Sequence, residues 1–317
     1  MAIALRGSGL VVRSQTIDEV DSMPPPVSGS VGAEYVQLEA GALCARWTTV
    51  TLPSMIVQFA VQRAAVLRFI RIPSDSYAFM IPLDVPASAR WNGCPVAQDA
   101  IIVCPPASGC FAFDPRDAQF AIVTMPFFES AFGDRAEPMT VHHRSADWLR
   151  AQLLRLRGAA ERKAGRAVAF DDDLVAASLE AWLPRGSAAF DRTKAHDSRN
   201  TIVGRADAFF RDHASEGVSV TQLSSVAGVS ERSLRNAFYE VFTTGPKRYM
   251  SVWRLNQVRR ALLRADGVRA TVTNAATSFG FYELGRFSGA YKSLFGETPS
   301  ETLGRASGRR FNYYRAS

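Results

Sequence analysis

Ser219–Phe242, SVTQLSSVAGVSERSLRNAFYEVF, decides how this chain is read, because its design returns at Thr271–Phe295, TVTNAATSFGFYELGRFSGAYKSLF. In each stretch a short apolar helix is predicted to run into a glycine, Gly228 or Gly280, and then into a longer helix with an apolar stripe. The first stripe is Leu234, Ala237, Phe238, Val241 and Phe242; the second is Phe287, Ala290, Tyr291, Leu294 and Phe295. Both follow i, i+3, i+4, i+7, i+8, the spacing of one buried helix face. The distance from glycine to stripe differs by one residue, so the repeat is one of structure and not a recent copy. Helix, tight glycine turn, helix is the arrangement whose second helix fits a DNA major groove.

Local signals mark where these helices begin. Ser219 with Gln222 forms an S-x-x-Q capping box, and Ser230 is placed to cap the first reading helix. A helix near Ile202 to His213 precedes the first motif, and Gly245-Pro246 opens a long one through about Arg264, with Tyr249, Trp253 and Leu262 among its apolar positions. A rigid helix between two such motifs fixes their separation. Held about 34 Å apart, both second helices would reach successive major grooves on one face of a duplex.

Charge follows the same division. From His196 to Ser317 there are 18 Lys and Arg against 10 Asp and Glu, a net of +8, while the first 195 residues carry 19 against 20. Basic charge confined to the half with the repeat suits a polyanion, since phosphate neutralisation and counterion release supply most non-specific affinity. Alone, such charge would as readily be an ordinary solvated surface. Cys44, Cys94, Cys104 and Cys110 lack C-x-x-C spacing, which argues against a zinc site or a disulfide framework and for small buried thiols. No stretch approaches the roughly 20 apolar residues of a membrane span. The start, MAIALRGSGLVV, is a poor signal peptide, so the bacterial cytoplasm is the expected compartment.

The texture along the chain gives an α+β organisation. Residues 1–30, ending in PPPVSGSVG, read as a flexible lead-in. A regulatory or dimerisation domain is expected over 31–183. Its strands include ARWTTVTL, MIVQFAVQ, VLRFIRI, YAFMIPL, AIIVC and QFAIVTM, separated by proline, glycine or aspartate turns. Many short strands without intervening helices favour an antiparallel sandwich or barrel. Two helical segments follow, ADWLRAQLLRLRGAAERKAG and FDDDLVAASLEAWL. Residues 184–200 read as a linker, 201–305 as an all-α domain with two helix-turn-helix motifs joined by the long helix, and 306–317 as a basic tail.

The region from about Ile202 to Leu303 resembles the DNA-binding domain of AraC/XylS-type transcriptional regulators. Gly280, Phe281, Phe287, Ser288, Tyr291, Lys292 and then FGETPSETL stand where that family has G-F, F-s, F/Y-k and F-G-x-x-P-s. The likeness covers roughly a third of the chain and implies a seven-helix domain that reads DNA with both motifs. More faintly, AEYVQLEAG (33–41) and GFYELGRF resemble the ethanolamine-operon-regulator branch, with a cupin-like front domain. Ser224 and Ala275 depart from the family's Ala and β-branched residue, which implies looser packing of the first helix of each motif. Gly285 and Gly289 stand where the second reading helix often has Ser and Arg. Glycine reaches no base edge, so that helix is expected to dock while reading fewer bases.

Arg232, Arg235 and Asn236 match base-facing positions of the family, and their chemistry agrees: Arg reads guanine O6 and N7, Asn reads adenine N6 and N7. They also fall off the first stripe, hence outward. Many contacts in a reading helix go only to phosphate, so each has the alternative of being a plain surface polar residue. In the second helix Arg286 and Ser288 are the outward candidates and Lys292 a phosphate contact. Glu283 is read as an acid favourable to the helix dipole. Gly228, Gly280 and Ser230 are the structural turns and cap.

A cupin-like domain invites an enzymatic reading, but a divalent ion needs clustered imidazole and carboxylate donors, and no His precedes His142. His142-His143 is expected after the strands. GxSxG, P-loop and GxGxxG signatures are missing too. Cys104 and Cys110 form a conceivable redox pair, though burial as core thiols is the commoner fate. No metal, no cofactor and no catalysis are expected. Trp47, Phe59, Phe69, Tyr77, Phe79, Trp91, Phe111, Phe113 and Phe120 are either core or the wall of a small-molecule pocket. The resulting expectation is a sequence-specific regulator that binds double-stranded DNA, answers a small-molecule effector, engages RNA polymerase, touches no membrane and pairs as a homodimer. Trp148, Leu149, Leu153, Leu154 and Leu156, with Leu174, Leu179, Trp182 and Leu183, are the expected dimer faces. Two alternatives stay open: a metal-independent cupin enzyme with a vestigial DNA-binding tail, and a ligand-blind dimeric regulator.

Overall fold

Period-two burial on the strands and 3.6-period burial on the helices stack the chain into four layers. The structure, a computed structural model, describes residues 3–4, 11–17, 32–41, 45–126, 139–142, 146–161, 170–181, 194–265 and 271–305. One antiparallel sheet runs in the order β1 (Ile3–Ala4), β2 (Val11–Ile17), β4 (Ala45–Thr51), β5 (Ile56–Gln62), β12 (Gln119–Pro126), β7 (Ser76–Asp84), β10 (Ala100–Cys104), β13 (Met139–His142). A second, smaller sheet has the order β3 (Gly32–Gln37), β6 (Val66–Arg71), β11 (Gly109–Asp114), β8 (Arg90–Trp91), β9 (Cys94–Pro95).

Alternation along β12 shows how the layers are specified. Phe120 and Ile122 point into the space between the sheets, whereas Ala121 and Val123 point to the opposite face. That opposite face is covered by α1 (Ala146–Glu161) and α2 (Asp172–Ala181), through Leu149, Leu153, Leu156, Val175 and Leu179. The outer face of the smaller sheet, carrying Val36, Leu67 and Phe113, is covered instead by the C-terminal helices. These are α3 (Lys194–Asp212), α4 (Val220–Ala227), α5 (Glu231–Phe242), α6 (Pro246–Arg264), α7 (Val272–Ser278) and α8 (Leu284–Phe295), followed by a short helix at 299–305. Because both faces of each sheet are covered, strands such as YAFMIPL read as continuous apolar runs.

Several expectations are corrected. The lead-in contains strands: Val11–Ile17 pairs residue by residue with Ala45–Thr51, and Val12 is buried. Residues 18–31 lie outside the described residues. His142 closes β13 opposite Ala100 instead of following the strands. The helix expected from Ile202 starts at Lys194, inside the stretch read as a linker; 184–193 and the tail 306–317 lie outside the described residues. The apolar faces expected to pair two chains pack on the chain's own sheet. Leu149, Leu153, Leu156 and Leu179 are buried there, which leaves Leu154 and Leu174 exposed; Trp182 and Leu183 are outside the described residues. The strand aromatics divide among three cores. Trp47, Trp91 and Phe120 lie between the sheets, Phe59, Tyr77 and Phe79 beneath α1 and α2, and Phe69, Phe111 and Phe113 beneath the C-terminal helices.

Between the sheets sits a buried ion pair. Arg68 Nε donates to Asp114 Oδ2 at 2.8 Å, Trp91 Nε1 donates to Asp114 Oδ1 at 3.0 Å, and the guanidinium lies 3.9 Å from the Phe120 ring centre. Arg68 Nη1, the Tyr35 hydroxyl, Trp47 Nε1 and both Gln62 amide atoms are buried there without a hydrogen-bond partner among the described residues.

Candidate nucleic-acid interface

The first helix pair is closed at every joint. Ser219 accepts from the Gln222 amide while Gln222 Oε1 accepts from the Ser219 amide, so the expected capping box is present. Gly228 ends α4 at φ 70°, in the left-handed region that Cβ disfavours. Ser230 caps α5 by accepting from the Ser233 amide at 3.1 Å, and Thr221 Oγ1 donates to Glu231, tying α4 to α5. Ser224 is buried with its hydroxyl on Thr221 O, so the departure from Ala is accommodated. All five stripe residues from Leu234 to Phe242 are buried.

That burial turns Arg232, Arg235 and Asn236 to solvent. Arg232 and Asn236 have no partner among the described residues, whereas Arg235 reaches back to Glu231 at 2.6 Å. Exposed i,i+4 pairs of this kind are worth about 0.5 kcal/mol, little enough to exchange for a base or phosphate. Tyr239, 59% exposed, completes the same face one turn on. Sequence reasoning passed over it, although an aromatic off the apolar stripe is the available signal. Arg235 and Tyr239 border a cleft of about 760 Å³, shared with Lys247 and Arg248 at the start of α6, with Phe113 of β11 and with Glu39 of the loop after β3.

The second pair is built differently. Thr271 caps α7, and Gly280 turns the chain at φ 79°, where an added Cβ would come within 3.2 Å of Ser215 O and 3.3 Å of Ala214 O. Glycine is therefore required twice over, for its dihedral and for the close approach to the loop before α4. Tyr282 Oη donates to Ser215 O at 3.2 Å across the same contact. Glu283 stands at the start of α8 without a side-chain cap bond and pairs with Arg286 at 2.9 Å. Phe287, Tyr291, Leu294 and Phe295 are buried, but Ala290 is exposed and Ser288 is half-buried, so the expected stripe is shorter and Ser288 less outward than expected. Arg286 and Lys292 are exposed. Gly285 and Gly289 have open space where a Cβ would stand.

Not all of the basic charge faces solvent. Arg259 and Arg305 pair with Glu297, at 2.7 and 2.8 Å, and Arg211 and Arg260 converge on Glu34 of β3. Burial would raise the Glu34 carboxyl, but the two guanidinium groups outweigh it and hold it below the usual carboxylate range. Burial does prevail at Asp207, which is raised despite the adjacent Arg211. Exposed cations that remain on the C-terminal helices include Arg232, Arg235, Lys247, Arg248, Arg286 and Lys292. Among the described residues no helix is long and apolar enough to cross a membrane.

Comparison with known proteins bears on this same region. Residues 223–305 match the family model described as a helix-turn-helix domain. A probable thc operon regulatory protein of Rhodococcus erythropolis is 40% identical over 102 residues, 32% of this chain and 31% of that protein. A XylDLEGF operon transcriptional activator of Pseudomonas putida is 35% identical over 104 residues, 33% of this chain and 32% of its own length. The match thus spans about a third of the curated relatives. Among solved structures, a probable AraC family transcriptional regulator from Rhodopseudomonas palustris is 32% identical, covering 33% of this chain and 96% of that one, with a TM-score of 0.31. By these matches residues 223–305 are a helix-turn-helix domain, similar to part of proteins named as operon regulators.

Proposed function

We propose that the chain as a whole is a sequence-specific transcription regulator, with α5 as its main reading helix and α8 as a second helix-turn-helix element that docks in the adjacent groove. The observation that carries this reading is the exposed face of α5. Arg232, Arg235 and Asn236 project together from a helix whose other face is buried, inside the segment that matches the family model. Arg235 and Asn236 offer bidentate partners to guanine and adenine and Arg232 a second arginine fork, while on α8 Arg286 and Ser288 are the base-facing candidates and Lys292 supplies charge to the DNA backbone. Gly228, Gly280 and Ser230 hold the turns that present these faces.

The front domain is inferred to regulate and not to catalyse, in keeping with relatives named as operon regulators. Its responsiveness to a small molecule is supported by the unsatisfied polar atoms of Arg68, Tyr35, Trp47 and Gln62 between aromatic walls, since buried groups of this kind want a partner. A cupin-like ancestry and a place near the ethanolamine-operon branch belong to this proposal, as do RNA polymerase, a second copy of the chain and a cytoplasmic setting. The exposed Leu154 and Leu174 are what α1 and α2 leave for a second copy.

The test is selection of the full chain on randomised duplexes, followed by affinity against salt for the selected site. Enrichment of a defined sequence is expected, with log affinity falling against log salt by several units, at about 0.9 per phosphate neutralised. No enrichment, or a flat salt dependence, would sink the reading.

A further inference from the structure

We infer that the smaller front sheet is the ruler that sets the distance between the two reading helices, with Gln37 and Glu34 as positioning residues for half-site spacing. This rests on the proposal that α5 and α8 both enter DNA. It starts from a coincidence of contacts: three elements of the C-terminal region are gripped by β3, its following loop and the neighbouring strands.

The end of α8 is held first. Leu294 O, one of the last-turn carbonyls that a helix cannot satisfy internally, accepts from the Gly41 amide at 3.0 Å and from Gln37 Nε2 at 3.3 Å. Gly41 presents its amide at φ 112°, a dihedral that favours glycine. Gln37 Nε2 also donates to Gly41 O at 2.6 Å and Glu39 O at 2.8 Å, which fixes the loop. The middle of α6 is held next. Fully buried Asn256 accepts from the Gln37 amide at 3.0 Å and donates to Gln37 O at 3.2 Å, while Arg260 donates to Tyr35 O and, at 2.8 Å, to Glu34. Gln257 adds a bond to Glu34 at 2.8 Å, and Arg211 of α3 closes on the same carboxylate.

The end of α5 is held third. Phe242 lies edge-on to Phe69 of β6 and Phe111 of β11, at 5.7 and 5.6 Å between ring centres. A Cβ on Gly93, in the turn between β8 and β9, would stand 3.2 Å from Val241. Each reading helix is therefore anchored at its C-terminal end on the same sheet, and the helix between them is anchored at its centre. The candidate DNA-facing side chains Arg232, Asn236, Arg286 and Lys292 are exposed, and Arg235 and Tyr239 are exposed at the rim of the cleft beside Glu39, so the grip leaves them accessible.

DNA makes such a ruler consequential. One base pair shifts a groove by about 3.4 Å along the axis and by about a tenth of a turn around it. Two helices with fixed separation tolerate little change of spacer, whereas helices joined by α6 alone would follow the duplex more freely.

The experiment uses the full chain and duplexes carrying the two selected half-sites with spacers varied one base pair at a time. The wild type is expected to prefer one spacer and to lose about tenfold in affinity per base pair of error, comparable to a mismatch. Q37A and E34Q, alone and together, should flatten that profile by severalfold while leaving base preference within each half-site and affinity for a single half-site unchanged. A purely structural loss would lower all sites alike. Because removing buried partners risks unfolding, G41A provides a variant that deletes no buried side chain: no atom crowds its Cβ, and the strain of an alanine at φ 112° falls on the loop whose amide binds Leu294 O and whose carbonyl accepts from Gln37. Near-ultraviolet circular dichroism certifies the fold of each variant. Folded variants with the wild-type spacer profile would overturn the ruler alone. A wild type indifferent to the spacer would overturn the second reading helix, and the ruler with it.

Discussion

The pair α4–α5 and the pair α7–α8 share a plan but differ in where their chemistry lies. Matched through their stripes, Arg232, Arg235, Asn236 and Tyr239 of the first pair correspond to Gly285, Ser288, Gly289 and Lys292 of the second. Both helices bury an aromatic-rich face and end in a left-handed residue, Thr243 or Gly296. Only α5 begins with a side-chain cap, and α5 carries three side chains that can read a base in a bidentate way where α8 has Arg286 alone beside Ser288 and two glycines. Docking and reading are thus separable demands. Packing is kept in both pairs, while base chemistry is concentrated in one.

The largest test of that difference is at the two turns. Gly280→Ala should cost about 2 to 4 kcal/mol of stability, from the left-handed dihedral together with overpacking against two backbone carbonyls. Gly228→Ala, whose Cβ would meet open space, should cost about 1 to 2 kcal/mol for the dihedral alone. Urea unfolding of the full chain measures both. Equal losses would mean that the second turn is no tighter than the first and would break the comparison.

Next in size is the binding contrast. Arg235→Ala should lose about 1 to 3 kcal/mol of affinity and relax preference at one base pair, whereas Lys292→Ala should weaken all sequences alike and lower the salt slope by about one. Arg286→Ala should relax a single position about 10 base pairs away. Selection on randomised duplexes reads all three; tight preference only beneath α8 would reverse the assignment of the two helices.

The smallest effect sharpens the role of the two glycines. Gly285→Ala and Gly289→Ala should each stabilise the chain by about 0.5 to 1 kcal/mol, since neither new methyl meets an atom and helix-interior glycine is entropically costly. Thermal unfolding measures the gain. Unchanged DNA affinity would agree with a helix that docks without close approach at these positions; a loss of affinity in the stabilised variants would show that DNA comes in against the bare backbone.

What the sequence disclosed was local. The stripe of α5, the Ser219–Gln222 box, the Ser230 cap, the Gly228 stop and the span of α6 all depend on residues a few positions apart, and each was legible. The strand Val11–Ile17 was not, because a polar VVRSQTI becomes a strand only once Ala45–Thr51 lies beside it. The grip between the halves was the least visible. Glu34, Gln37, Asn256 and Arg260 are ordinary surface residues by type, and only contacts between positions more than two hundred residues apart bury them. One trace existed: Asn256, Arg259 and Arg260 interrupt the apolar side of α6 among Val252, Leu255, Val258 and Leu262, a polar intrusion that calls for partners elsewhere. On the candidate interface, Ala290 and Ser288 were misjudged by a fraction of a turn, since the burial of α8 falls to Phe287, Tyr291, Leu294 and Phe295.

The shared apolar cluster beneath the C-terminal helices has an evolutionary consequence. Val36, Leu67 and Phe113 sit in one core with Val203, Phe210, Phe242 and Tyr249, so the helical region is not a cassette that recombination can move intact. A transplant onto a foreign front half would strip the cover from Phe242 and leave Asn256 and Arg260 facing strangers. Viable chimaeras across residues 184–200 should therefore carry the outer faces of β3, β6 and β11 along with the helices, and drift on either side of this seam should be met by matching substitutions on the other.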